Sequence, residues 1–239
     1  QDIVVKVPHT PAKNRQAEEE YAILAAIAGQ INDTGKVEPL GKFARAQHEG
    51  KTLIVMPYYE RSDRLLDVIK NLLNTKKNVE AERRAVDAAI HYTQVMQAIH
   101  SIPASENGYI KGPRSCTDRK IKDFYFVYGQ HYILDWNVVR EDAEPFRVAE
   151  IKLFGFLWHE LFLGGKGKAP FDPFDDRKWA LPDYPQGVIS VGLRVLMARA
   201  VACNAAPNPN GADIKRLGEA LTQWRGLLTQ QIPPRDVAV

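Results

Sequence analysis

The spacing of apolar residues changes near residue 58, and this change limits what the chain can fold into. Before it, residues 3–7 are rich in β-branched residues and have the composition of a strand. Residues 40–46 and 51–58 look like two further strands joined by a turn at Glu49-Gly50. One stretch with apolar residues at helical spacing, at residues 15–28, lies between the first two runs. The first part of the chain is therefore predicted to be β-α-β-β.

The rest of the chain is mainly helical in pattern. Apolar positions recur at helical spacing at residues 64–74, 79–100, 151–163, 188–202 and 214–228. Two short β runs, at 124–128 and 131–134, surround Gly129-Gln130, which is typical of a hairpin turn. The long segment 101–117 is rich in Pro, Gly and Ser and is predicted to be a loop.

The order of these patterns predicts an α+β protein with two unequal parts. The boundaries fall at residues 1–58 for the β-rich part, 59–63 for a linker and 64–239 for the helical part. With 239 residues, 45% of them apolar, the chain is long enough to bury a sizeable core. Ligand clefts often lie between such parts.

Composition and charge exclude several classes of protein. A net charge of only +3 argues against a dedicated nucleic-acid binder. No run of about 18 apolar residues is present, so we expect no membrane-spanning helix. Two cysteines, Cys116 and Cys203, are too few for a disulfide framework, which favours a reduced, cytoplasmic location. The absence of an initiator Met favours a fragment or a processed product.

Four groups of polar residues stand out, and each has a simple structural explanation when taken alone. Lys6 would be an exposed edge residue of a strand, and the three glutamates at 18–20 a charge cluster near a helix start. The charged run 118–123 would be solvated, and Asp135 would belong to a turn after an apolar strand. Their common order and spacing make a shared function the better interpretation.

In this order and spacing, the four groups resemble the eukaryotic-type protein kinases, from Lys6 to about Leu221. The resemblance implies a bilobal fold, with a small β-rich N-lobe, truncated relative to the family, and a larger helical C-lobe. In that family a strand lysine holds the α- and β-phosphates of ATP and pairs with a helix glutamate. Lys6 matches the lysine, and Glu20 matches the glutamate because Ile23 and Leu24 follow it by three and four residues.

The resemblance extends to the adenine site and to the helix after the activation segment. Met56 stands at the gatekeeper position, and the backbone of Pro57, Tyr58 and Tyr59 would face the adenine. Residues 150–161 are similar to a buried helix of the C-lobe, with Glu150 in place of an aspartate.

The catalytic loop matches the family's His-Arg-Asp-x-Lys-x-x-Asn pattern only in part. Asp118 falls on the catalytic base, Lys120 on the phosphate-facing lysine and Asp123 on the Asn that binds the second metal ion. The His and Arg of the pattern are absent. Asp135 stands where the family has Asp-Phe-Gly and would be the principal metal ligand. The implied cofactors are ATP and either Mg²⁺ or Mn²⁺, which are hard cations that prefer oxygen ligands.

Three departures from the family leave two functions open. The chain lacks a glycine-rich phosphate loop, its catalytic loop is altered, and only 15 positions separate Asp135 from Glu150. A peptide-docking platform is therefore not expected, and a small-molecule acceptor, or no acceptor, fits better than a peptide. The retained polar positions favour a phosphotransferase that moves the ATP γ-phosphate to a hydroxyl acceptor. The departures favour a pseudokinase, a regulatory or scaffolding module with a protein partner, with or without nucleotide.

Overall fold

The described part of the chain comprises most of both predicted parts. The computed structural model describes residues 2–32, 43–102, 112, 114–115, 120–134, 140–141, 144–162, 190, 193, 197, 200 and 214–231. Within these ranges the protein combines helices with small antiparallel sheets, so the predicted α+β class is confirmed.

Five helices and seven strands have defined bounds in these ranges. The helices are α1 (Pro11–Asn32), α2 (Leu65–Asn74), α3 (Asn78–His100), α4 (Glu144–Phe162) and α5 (Ile214–Gln231). The strands are β1 (Ile3–Lys6), β2 (Ala44–His48), β3 (Lys51–Pro57), β4 (Arg114–Ser115), β5 (Phe124–Val127), β6 (Gln130–Ile133) and β7 (Arg140–Glu141). Single 3-10 turns are present at Arg61–Asp63, inside the predicted linker, and at Ile121–Asp123.

The N-terminal sheet has the strand order β1-β3-β2, and both of its pairings are antiparallel. Glu49 and Gly50 connect β2 to β3 with positive φ angles of 50° and 71°, which suit a two-residue hairpin turn. Helix α1 packs against β3, where Ile54 is fully buried, and it buries Ile23 and Leu24. The sheet and α1 therefore form one packed unit.

Helix α3 lies at the centre of the core and contacts α1, α2, α4 and α5. One side of it carries a cluster of aromatic rings whose centroids lie between 4.7 and 6.3 Å apart, made of Tyr92, Phe124, Phe154 and Trp158. The indole N–H of Trp158 donates to the carbonyl oxygen of Ala85 at 2.7 Å, so its one buried polar atom is satisfied. This cluster joins α3 to α4 and to the β5–β6 hairpin.

The β5–β6 hairpin turns one residue earlier than the sequence predicts. Val127 pairs with Gln130, which leaves Tyr128 and Gly129 as the two-residue loop. Both loop residues have positive φ angles, 49° and 85°. A tight hairpin turn of this kind needs a positive φ at both central residues, so the prediction of Gly129-Gln130 as the turn is wrong by one position.

Most predicted elements agree with the structure, and the largest difference is at the start of α4. The patterns at 64–74, 79–100 and 214–228 correspond to α2, α3 and α5. The start predicted at residue 151 is wrong, because α4 begins at Glu144. Pro145 does not prevent this, since proline lacks an N–H group that the first helical turn leaves unbonded in any case.

Of two further predictions, one is wrong in part, and the other can be compared with the structure at only a few residues. The segment 101–117, predicted as a loop, contains β4, which pairs with β7. Most of 188–202 lies outside the described residues, but Leu193, Met197 and Ala200 are helical and buried, in agreement with their spacing. Every helix in the described ranges is too short or too polar to span a bilayer.

Two glycines of α5 provide a matched test of the α3–α5 contact. A methyl group at Gly218 would lie 2.8 Å from Thr93 Oγ1, which is held by a 2.8 Å bond to the Ile90 carbonyl. A methyl group at Gly226 would meet nothing within 4 Å. We expect Gly218→Ala to lower the free energy of unfolding by about 1–3 kcal/mol, and Gly226→Ala to raise it by about 0.5–1 kcal/mol.

Urea denaturation of the two variants measures both effects. Adding Thr93→Ala to Gly218→Ala should recover part of the loss, because it removes the hydroxyl group that the new methyl group meets. Equal stability changes in the two glycine variants would show that α5 does not approach α3 closely at Gly218.

Candidate functional site

Lys6 and Glu20 form an ion pair between β1 and α1. The distance from Lys6 Nζ to Glu20 Oε1 is 2.7 Å. The Glu20 side chain is only 5% exposed, whereas that of Lys6 is 33% exposed. The carboxylate is thus held inside the packed unit of sheet and helix, and the ammonium group keeps access to solvent on one side.

The position of α1 decides which of the three consecutive glutamates meets the lysine. Glu18 accepts a hydrogen bond from Thr52 Oγ1 at 3.2 Å, and Asn14, one turn earlier, accepts one from the Thr52 amide at 2.6 Å. Residues two apart on a helix do not share a face. Glu18 is therefore directed to the start of β3, and Glu20 to Lys6 of β1.

The chain that follows β3 is attached to the β5–β6 hairpin by aromatic contacts. The ring of Tyr59 stacks on that of Tyr132, with centroids 5.3 Å apart and planes 17° apart, and it contacts Tyr125 at 5.6 Å. Tyr125 and Tyr132 are cross-strand partners in the hairpin. Neither tyrosine is part of a motif in the sequence, although their paired positions in the two β runs place them on one face.

The other predicted adenine-site residues lie at the end of β3. Met56 pairs across from Val4 and packs against the core, and Pro57 pairs across from Ile3. Tyr58 is 51% exposed, and its amide donates to the carbonyl oxygen of Asp2 at 2.9 Å. The Tyr58 N–H therefore extends the sheet.

Asp123 is buried at the point where residues 120–123 meet the β5–β6 hairpin. Its Oδ2 atom accepts a 3.0 Å hydrogen bond from the Lys120 amide, and its own amide donates to the Lys120 carbonyl oxygen at 2.9 Å. Its carbonyl oxygen accepts a 2.9 Å hydrogen bond from the Leu134 amide. These bonds hold the start of β5 against the end of β6, while Lys120 itself is exposed.

Arg64, which directly follows the linker, forms a hydrogen bond to the β5–β6 hairpin. Its Nε atom donates to the Tyr125 hydroxyl group at 3.4 Å. That hydrogen bond raises the pKa of Arg64, and the charges of Asp67 and Asp123 raise this pKa further, against the opposing effect of burial. The guanidinium group thus remains charged beside the hairpin.

Two of the predicted site residues cannot be placed. Asp118 and Asp135 lie outside the described residues. In the ranges that are described, no group of three or more His, Cys, Asp or Glu side chains is arranged to hold a metal ion. Asp123 does supply a carboxylate, the ligand type that Mg²⁺ and Mn²⁺ prefer.

Comparison with models of known protein families and with curated proteins finds no match to this chain.

The burial of Glu20 predicts a stronger coupling for Lys6–Glu20 than for an exposed ion pair. A double-mutant cycle with Lys6→Met and Glu20→Gln should give a coupling free energy of about 1–3 kcal/mol. Arg61 and Asp67 provide the control, because their atoms are 3.9 Å apart and Arg61 is 83% exposed. The control cycle, with Arg61→Ala and Asp67→Asn, should give less than about 0.5 kcal/mol. Equal coupling in the two cycles would contradict a buried, specific Lys6–Glu20 contact.

Proposed function

We propose that this chain is a kinase-like domain that binds ATP with a divalent metal ion and transfers the γ-phosphate to a hydroxyl acceptor. The observation that carries the proposal is the 2.7 Å ion pair between Lys6 of β1 and the buried Glu20 of α1. Of the three glutamates at 18–20, the one that meets Lys6 is the one that the kinase-like spacing to Ile23 and Leu24 selects. A cytoplasmic location, where ATP is abundant, is part of this proposal.

Lys6 is suited to contact the phosphates because of how it is held. Its partner Glu20 is buried, so the ammonium group is kept in one position and not spread over many rotamers. The exposed third of its side chain leaves room for phosphate oxygens, which form charge-assisted hydrogen bonds with ammonium groups. Glu20 would thus position the lysine, and Lys6 would bind the α- and β-phosphates.

The adenine would lie against the segment that follows β3. Met56 would border it, and the backbone of Pro57 to Tyr59 would supply its hydrogen bonds. Since the Tyr58 amide is already bonded to Asp2, the bonds would come from the other backbone groups of this segment. The packing of Tyr59 on the hairpin would hold the segment in place.

The remaining polar positions would hold the metal ion and act on the acceptor. Asp123 and Asp135 would be the ligands of Mg²⁺ or Mn²⁺, which when bound offsets the charge of the phosphates. Lys120 would offset charge on the transferred group, and Asp118 would orient the acceptor hydroxyl and remove its proton. The short span from Asp135 to Glu150 favours a small-molecule acceptor over a peptide.

A pseudokinase is the second candidate function, and the edge of the sheet favours it. Among the described residues, β1 pairs only with β3, and its side chains Ile3 and Val5 are 63% and 40% exposed. The altered catalytic loop, which lacks the family's His and Arg, also favours it. Such a site would bind nucleotide without transferring phosphate, and would act through a protein partner.

Nucleotide binding can be tested by thermal unfolding with ATP and Mg²⁺ or Mn²⁺. We expect a metal-dependent rise in melting temperature, equivalent to about 2.7 kcal/mol when the nucleotide is present at 100 times its Kd. Lys6→Ala and Asp135→Ala should each remove most of the rise. Lys13→Ala, which removes an exposed lysine of α1, is the matched control and should keep it. No rise in the wild type at millimolar nucleotide, or an equal rise in all four proteins, would contradict the proposed site.

Phosphate transfer requires a separate test with radiolabelled ATP, in which label on the protein, on inorganic phosphate or on added small alcohols is measured. If Asp118 is the base, Asp118→Ala should reduce the transfer rate by about 10²-fold or more while nucleotide still raises the melting temperature. Lys122→Ala, an exposed residue of the same segment, is the control. If the wild type binds nucleotide but transfers no phosphate, the phosphotransferase is contradicted and the pseudokinase is supported.

A further inference from the structure

Helix α1 is attached to the sheet by polar side chains as well as by its apolar residues. The side-chain oxygen of Asn14 accepts a hydrogen bond from the Thr52 amide at 2.6 Å. One turn later, Glu18 Oε1 lies 3.2 Å from Thr52 Oγ1, and the side-chain amide of Gln47 lies 2.8 Å from the same hydroxyl oxygen. Thr52 is fully buried at the start of β3. Asn14, Glu18 and Thr52 are called the α1 clamp below.

The Asn14 bond satisfies a buried N–H group that β1 does not reach. The Tyr58 amide donates to the Asp2 carbonyl oxygen, so every second amide of β3, counted back from Tyr58 to Thr52, points toward β1. The strand β1 ends at Lys6, before the register reaches Thr52. The side chain of Asn14 therefore supplies the missing acceptor, and without it the buried Thr52 amide would be costly.

The clamp and the Lys6–Glu20 ion pair hold opposite flanks of α1. A helix turns by about 100° per residue, so positions 18 and 20 lie about 160° apart around its axis. Ala17 and Leu24, which lie between these positions around the axis, are buried. The clamp contacts β3 on one flank, and Glu20 contacts Lys6 of β1 on the other at 2.7 Å. Rotation of α1 about its axis would therefore break contacts on both flanks.

Both sets of contacts lie on one face of the sheet. Side chains alternate along a strand, so Thr52 and Ile54 point to the same side. Lys6 pairs across from Ile54, and its side chain points to that side too. Helix α1 covers this face, where Ile54 is fully buried. Lys6 therefore meets Glu20 only while α1 keeps its rotation on the sheet.

We propose that Thr52 is a positioning residue for the phosphate-binding lysine, because the α1 clamp fixes the rotation at which Glu20 holds Lys6. The lysine is then preorganised: the ion pair is complete without nucleotide, and ATP does not have to move α1 in order to bind. The role in ATP binding rests on the proposed nucleotide site, whereas the effect of the clamp on the ion pair does not.

The first measurement is the coupling between Lys6 and Glu20 in clamp variants. Thr52→Val keeps the shape of the side chain but removes the hydroxyl group, and Thr52→Ser keeps the hydroxyl group. The cycle of Lys6→Met and Glu20→Gln is repeated by urea denaturation in each background. We expect Thr52→Val to remove about half or more of the coupling free energy and Thr52→Ser to keep most of it.

Thr93→Val is the matched control. Thr93 is also a buried threonine, and its hydroxyl group donates to the Ile90 carbonyl oxygen at 2.8 Å, but it lies on α3 and away from the clamp. This variant should lower the free energy of unfolding and leave the Lys6–Glu20 coupling unchanged.

Asn14→Ala tests the clamp from the helix side, at a half-buried position where truncation is better tolerated than at Thr52. It removes the acceptor of the Thr52 amide and should weaken the coupling in the same way. Asn14→Asp keeps an acceptor there and should retain the coupling. Lys13→Ala, at the exposed neighbouring position, is the control and should have no effect.

The affinity for ATP is the second measurement, and a loss of stability alone would not change it. Calorimetric titration with ATP and Mg²⁺ is done at a temperature at which every variant is folded. We expect the Kd to rise about fivefold or more in Thr52→Val and Asn14→Ala, and less than about twofold in Thr52→Ser and Thr93→Val.

Two results would overturn the role of the clamp. One is a Lys6–Glu20 coupling that survives both Thr52→Val and Asn14→Ala, and the other is an equal change of coupling in Thr52→Val and Thr93→Val. A wild-type chain that binds no ATP would instead contradict the proposed function, and the coupling cycles would still decide whether the clamp holds the ion pair. The two failures are therefore distinguishable.

Discussion

Helix α3 is buried on several sides, and the packing of the other helices is organised around it. Four helices and the β5–β6 hairpin contact it, so any rotation of α3 would disturb all of them at once. Its buried Glu82 is compensated by hydrogen bonds from the Ser190 amide and the Trp224 indole, both at 2.9 Å. A buried carboxylate without such donors would be strongly unfavourable, so these bonds also determine the rotation of α3 about its own axis.

The C-terminal end of α3 is held in a similar way. His100 Nε2 lies 2.5 Å from Glu150 Oε2 of α4, and Glu150 is fully buried. Because a fully buried carboxylate needs compensation, the histidine at the end of α3 acts as one of the partners of Glu150. Together with the aromatic cluster of Tyr92, Phe154 and Trp158, this pair fastens α4 to α3.

The two faces of the β5–β6 hairpin pack against different parts of the protein. Phe124 anchors its first strand in the aromatic cluster, and the alternation of side chains then directs neighbouring residues to opposite sides. Tyr125 and Tyr132 face the linker and hold Tyr59, whereas Phe126 and His131 face α3. One short hairpin thereby contacts Tyr59 on one face and α3 on the other.

Local patterns in the sequence predicted the α+β class, most of the helices and strands, and Lys6 and Glu20 as candidate partners. These follow from local patterns, since apolar spacing and residue order are properties of the chain alone. The tertiary structure adds the contact itself, because whether Glu20 reaches Lys6 depends on how α1 lies on the sheet. It also decided that Tyr59 stacks on the hairpin and that His131 borders a cavity with His91. The contacts of Tyr59 and His131 join residues 40 to 73 positions apart, and nothing in a local pattern records which distant surfaces meet when the core forms.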